Sequence, residues 1–124
     1  MTKSKLKKYL RQNPDTDSKE LLDCLTTPEL VEYSNGDLLY VLNRKLHRID
    51  GPAVEYTDGY KAWYLNGELH RIDGPAIETQ YGDQHWYKHG KRHRIDGPAV
   101  EYANGDKSWW VNGIKTDSNF RPLK

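Results

Sequence analysis

The heptapeptide His-Arg-Ile-Asp-Gly-Pro-Ala occurs three times without a change, at residues 47–53, 70–76 and 93–99. Its surroundings repeat with it. From Glu32 the chain divides into EYSNGDLLYVLNRKLHRIDGPAV, EYTDGYKAWYLNGELHRIDGPAI, ETQYGDQHWYKHGKRHRIDGPAV and a shorter EYANGDKSWWVNGIK, a period of 23 residues with no insertion. So short and strict a period requires one supersecondary unit to stack on copies of itself, and it argues against a core assembled from dissimilar elements.

Each unit carries two turn signals. One is an x-Gly step at Gly36, Gly59, Gly82 and Gly105; the other is Asn66-Gly67, His89-Gly90 and Asn112-Gly113, with Asn43-Arg44 in the first unit. Between them run short aromatic-rich stretches such as residues 60–65, which read as strands. Helical crossovers have no room, so the fold class is mainly β: an antiparallel β-meander of stacked hairpin repeats in a single layer, growing by one hairpin per unit. Asp-Gly-Pro-Ala reads as a chain-bending corner in which Gly supplies positive φ and Pro fixes φ near −65°. Arg48 and Asp50 fall on one side of an extended chain, which predicts ladders of opposite charge across the sheet.

The repeat array covers residues 32–115. Ahead of it, residues 1–31 are expected to form a helical cap: Leu6, Tyr9 and Leu10 lie on one helical face before Pro14, and Asp17-x-x-Glu20 starts a second helix bearing Leu21, Leu22 and Leu25. Residues 116–124 read as a tail. The net charge of +1 gives the whole chain no strong pull on nucleic acid or anionic membrane, although residues 1–12 hold five basic side chains and no acid. The lone Cys24 excludes an internal disulfide and fits a reducing compartment as a small apolar side chain. No apolar run has the length of a membrane span, and the expected location is the cytoplasm.

Repetition also bears on chemistry, because an enzyme needs its reacting group once, in one asymmetric pocket. His47, His70 and His93 suggest zinc, but equivalent residues two strands apart are about 9–10 Å from one another and cannot converge on one ion. Asp73 and Glu78 suggest a glycosidase pair, yet every copy would share one environment, whereas that chemistry needs two carboxylates tuned apart. No catalytic residue, metal or cofactor is assigned.

The aromatic columns point elsewhere. Tyr40, Trp63, Trp86 and Trp109 occupy one repeat position, and Val41, Tyr64, Tyr87 and Trp110 the next, so they face opposite sides of the sheet. The first column is expected inside and the second outside, as a partner surface. The repeat is most altered in its third unit, which holds His85 and where Lys88, His89, Lys91 and Arg92 make residues 88–94 strongly basic. Partner-binding residues are therefore Tyr64, Tyr87, Trp110, His85, Lys88, His89, Lys91 and Arg92. An abrupt end to the array also leaves residues 109–111 as an edge strand open to pairing with a second chain.

The pattern W-x-x-N-G-x-x-H-R-x-D-G-P-A-x-E-Y-x-x-G resembles the HRxDGPA-type repeats of proteins from tailed bacteriophages and large DNA viruses, and is more distantly similar to MORN repeats. The resemblance spans about residues 32–115. It implies a β scaffold used in protein assembly, and a small viral accessory protein acting in the host cytoplasm that engages or inhibits a host protein. Arg-Ile-Asp-Gly-Pro-Ala replaces the second Gly pair of the MORN pattern, so the lipid contact associated with that family does not carry over. Nucleic-acid binding through the basic N-terminus and residues 88–94 is the alternative.

Overall fold

The computed structural model describes residues 27–123, and these contain strands and turns without a helix. The strands are β1 (Glu29–Glu32), β2 (Leu38–Leu42), β3 (Lys45–Leu46), β4 (Val54–Glu55), β5 (Lys61–Ala62), β6 (Tyr64–Leu65), β7 (Glu68–Leu69), β8 (Ile77–Glu78), β9 (Gln84–His85), β10 (Tyr87–Lys88), β11 (Lys91–Arg92), β12 (Val100–Glu101), β13 (Lys107–Val111) and β14 (Ile114–Thr116). The expected helical cap lies largely outside the described residues. Residues 29–31, assigned to that cap by sequence, belong instead to β1, antiparallel to β2 with Leu30 opposite Tyr40.

One antiparallel sheet runs β1-β2-β4-β5-β8-β9-β12-β13-β14, with β3 beside β2, while β6-β7 and β10-β11 form separate ribbons. Each full unit thus builds two hairpins rather than one. The first closes at the x-Gly turn, where the Gly59 N–H donates to the Tyr56 carbonyl at 3.0 Å. The second closes at Asn-Gly, where Asn66 and Gly67 take φ of 50° and 81°, the two positive angles of a type I′ turn. Trp63 links the rows: its N–H donates to Ala76 and its carbonyl accepts from His70, at 2.7 and 3.0 Å. Successive Asn-Gly hairpins are also joined, Arg48 N–H to Tyr64 carbonyl and Gly67 N–H to Leu46 carbonyl, at 3.0 and 2.8 Å.

In the first unit the second turn residue is Arg44 at φ 65°, a left-handed conformation that costs an L side chain about 1–2 kcal/mol. Arg44→Gly is expected to raise stability by about 1 kcal/mol, after part of the gain is lost to the freer unfolded glycine. A melting temperature at or below that of the parent protein would contradict this.

The core is thin and built from small groups. Ala53, Ala62, Ala76 and Ala99 are fully buried, and the largest fully buried side chains are His47 and Val100. Alanine lets the two rows approach closely where the chain passes between them. Trp63, Trp86 and Trp109 are half-buried.

The repeated heptapeptide is a clasp. Arg71 lays its guanidinium 3.9 Å from the centroid of Trp63, donates from Nε to Asp73 Oδ1 at 3.0 Å, and donates from Nη1 to the Pro75 carbonyl at 3.0 Å. Arg48 on Tyr40 and Arg94 on Trp86 repeat this with centroid distances of 4.0 Å. These Arg–Asp pairs are internal to each loop and not rungs of the predicted cross-sheet charge ladder, because the segment is a bend instead of a strand.

The glycine has a different role from the one its turn propensity suggests. Gly51, Gly74 and Gly97 are absent from the positive-φ residues, and a Cβ on Gly74 would stand 2.9 Å from Arg71 Cζ. Glycine here leaves room for the guanidinium to lie against the backbone. Histidine works between units: Nδ1 of His47, His70 and His93 accepts the backbone N–H of Asn66, His89 and Asn112, at 2.9, 3.0 and 3.0 Å.

At the C-terminal side the outermost strand of the sheet is β14. Residues 109–111 are not an edge, since Trp109, Trp110 and Val111 pair with Thr116, Lys115 and Ile114. Beyond β14 the chain turns back, bridging Thr116 to Pro122.

Candidate functional site: an aromatic sheet face

Tyr64, Tyr87 and Trp110 stand in β6, β10 and β13, one per unit, and all three are half-buried. The structure adds two residues that sequence reasoning missed. Tyr56 and Tyr60 stack with centroids 5.3 Å apart; Tyr56 lies close enough to Tyr64 to act on its ionisation, and Tyr64 acts on that of Tyr60. Burial, then the phenols of Tyr64, Tyr56 and Tyr87, push the Tyr60 hydroxyl above its ordinary value. Burial, then Tyr56 and Tyr87, do the same to Tyr64. Tyr56, Tyr60, Tyr64 and Tyr87 thus form one cluster. The signal for Tyr60 was in the sequence, because the other units hold Asp37, Asp83 and Asp106 at its position. Asp37 and Asp83 each bind a backbone N–H of the next unit, Thr57 and Ala103, at 2.9 and 2.7 Å. In unit two that staple gives way to an aromatic ring.

Arg92 and His85 lie on the same side. Arg92 pairs across the ribbon with Tyr87, and its guanidinium stands 5.1 Å from the Trp110 centroid, within range of a cation–π attraction. Trp110 is held by its indole N–H, donated to Ser108 Oγ at 2.8 Å. His85 meets Tyr102 edge to face, with centroids 5.7 Å apart. Burial and then the Arg92 charge hold its imidazole below the ordinary value, opposed by Asp83. His85 Nδ1 and Arg92 Nε are both buried without a hydrogen-bond partner among the described residues.

The remaining basic residues of unit three are placed elsewhere. Lys88 follows Tyr87 along β10, so it points to the opposite side, in the repeat position of the buried Leu42 and Leu65. There it acts on His93, whose imidazole is held down by burial and then by Lys88. The His89 ring lies 4.3 Å from that of His70, and Lys91 lies over the turn of the next unit, 3.5 Å from where a Cβ on Gly113 would stand. Residues 88–94, continuous in sequence, are divided between two faces and a row of turns. On the opposite side the Tyr40, Trp63 and Trp86 rings are lidded by arginines of their own units.

Among the described residues no three His, Cys, Asp or Glu side chains are grouped to hold a metal ion, and no helix is long and apolar enough to cross a membrane. No protein-family model, curated protein or solved structure matches the chain.

Proposed function

We propose that the protein is a non-enzymatic binding module that engages another protein through Tyr56, Tyr60, Tyr64, Tyr87 and Trp110. The observation that carries this reading is the asymmetry of the two aromatic columns. The chain covers Tyr40, Trp63 and Trp86 of one with its own arginines, whereas in the other only Trp110 is approached by an arginine, Arg92, and the tyrosine cluster has no such lid among the described residues. Rigid aromatic side chains that are partly exposed and already ordered are well suited to anchor an interface. The repeated His, Arg and Asp are engaged in staples and clasps, which supports a scaffold over a catalyst. The distant resemblance of the sequence to MORN repeats carries the same scaffold reading. The resemblance to phage and viral repeats makes a host protein the first partner to test, with inhibition as the activity to assay.

Nucleic-acid binding is the second reading, favoured by Lys88 directly opposite Lys91, a like-charged pair that costs stability. Affinity capture from host lysate, with and without nuclease, distinguishes the two. The expected result is a nuclease-resistant partner whose affinity drops about thirtyfold, near 2 kcal/mol, in at least one of Tyr64→Ala, Tyr87→Ala and Trp110→Ala. Capture that disappears with nuclease would favour the second reading.

A further inference from the structure

We propose that Arg92, with His85 beside it, is a receptor for a carboxylate side chain, so that the aromatic face selects acidic segments of its partner protein. This rests on the protein-binding reading and specifies the partner's chemistry. The comparison is internal to the molecule. Arg48, Arg71 and Arg94 each stack on a ring and also donate to a carboxylate and a carbonyl. Arg92 has the ring, Trp110, but its side chain has neither a hydrogen bond nor an ion pair among the described residues, and its Nε is buried. An Nε–H in that condition has lost water without gaining an acceptor, which is costly.

The fold does not require it. Leu46 and Leu69 fill the same position in the first two units, where they face Val41 and Tyr64 as Arg92 faces Tyr87. His85 likewise stands where unit two has the fully buried Ala62. The nearby acid Asp83 is committed, its Oδ1 accepting the Ala103 N–H at 2.7 Å.

An incoming carboxylate supplies what is missing. Guanidinium binds carboxylate through paired N–H donors, and Tyr87, Tyr102 and Trp110 offer apolar flanks to the residues on either side of it. A nucleic-acid backbone is a poorer match, because it needs a track of cations and Lys88 lies on the other face.

The test is selection of a random displayed peptide library on the full chain, on Arg92→Leu, and on Tyr87→Ala with Trp110→Ala. Arg92→Leu restores the residue of units one and two, so its melting temperature is expected to equal or exceed that of the parent. The expected result is peptides with Asp or Glu fixed at one position beside apolar residues. Their affinity should fall at least tenfold on Arg92→Leu, and equally when the peptide acid is changed to its amide. Peptides without a fixed acid, or bound equally by Arg92→Leu, would overturn the carboxylate site and leave the aromatic face standing. An absence of selected peptides, or peptides indifferent to the aromatic substitutions, would overturn both. An oligonucleotide bound in preference to every peptide, with affinity falling steeply in salt, would replace the carboxylate with phosphate.

Discussion

Gly74→Ala is expected to cost about 2 kcal/mol, and most of that cost is expected to vanish when Arg71 is alanine as well. The added methyl would stand 2.9 Å from Arg71 Cζ, so the guanidinium must leave the position in which it meets Trp63, Asp73 and the Pro75 carbonyl. Arg71→Ala alone loses the ring contact and the Pro75 hydrogen bond, together worth about 2 kcal/mol; its pairing with the largely exposed Asp73 adds little. The two single changes damage the same clasp, so urea denaturation of the four proteins should show strong coupling between them. A corner that needed glycine for its backbone angles would behave differently, with Gly74→Ala costing the same in either background. That outcome would remove the clasp as the reason for the repeated glycine.

A gradient is expected along the three histidines. His47→Ala should cost about 3–4 kcal/mol, because the side chain is completely buried and its loss leaves both a cavity and an orphaned Asn66 N–H. His70→Ala should cost nearly as much, and His93→Ala, at a half-buried site, about 1–2 kcal/mol. Replacement by Asn, whose amide oxygen lies near the place of Nδ1, should recover part of each loss. Equal costs at all three positions would mean that burial does not set the strength of the staple.

Two histidines, His93 and His85, carry a pH dependence. Burial and then Lys88 hold His93 below its ordinary value, and burial and then Arg92 do so for His85. The unfolded chain therefore takes up these protons first, near pH 6.5, so stability is level above that pH and falls as the pH drops through the lower native values. Combining His93→Asn with His85→Ser, the residue of unit four, should flatten melting temperatures between about pH 7 and pH 5. An undiminished slope would assign the effect to other groups.

The period, the β class and the turns were legible because Gly and Asn at fixed intervals report backbone requirements directly, and Asn66 and Gly67 adopt the angles their identities suggest. The division of each unit into two hairpins was not. Residues 60–65 contain no turn residue at Trp63, and the break there comes from hydrogen bonds to Ala76 and His70, partners made only by the assembled array. Likewise, two-residue alternation places Arg48 and Asp50 on one side of a strand, whereas the guanidinium folds back onto Tyr40, eight residues earlier. For the site, alternation assigned Tyr64, Tyr87 and Trp110 to one side, but a run of basic letters in sequence concealed that neighbours along β10 point apart. Tyr60 was visible only as the odd residue in a column of aspartates.

The joining of each unit to the next by the same few backbone and histidine bonds has a consequence for how such a chain changes over generations. A gene segment encoding one unit can be duplicated or lost in frame, and the protein product regains the same junctions on either side. Once copies are present in surplus, one of them is released from uniformity. Unit three keeps its heptapeptide letter for letter while His85, Lys88, His89 and Arg92 stand where its siblings hold other residues. Its neighbours preserve the architecture, and the divergent copy is where selection has material to explore.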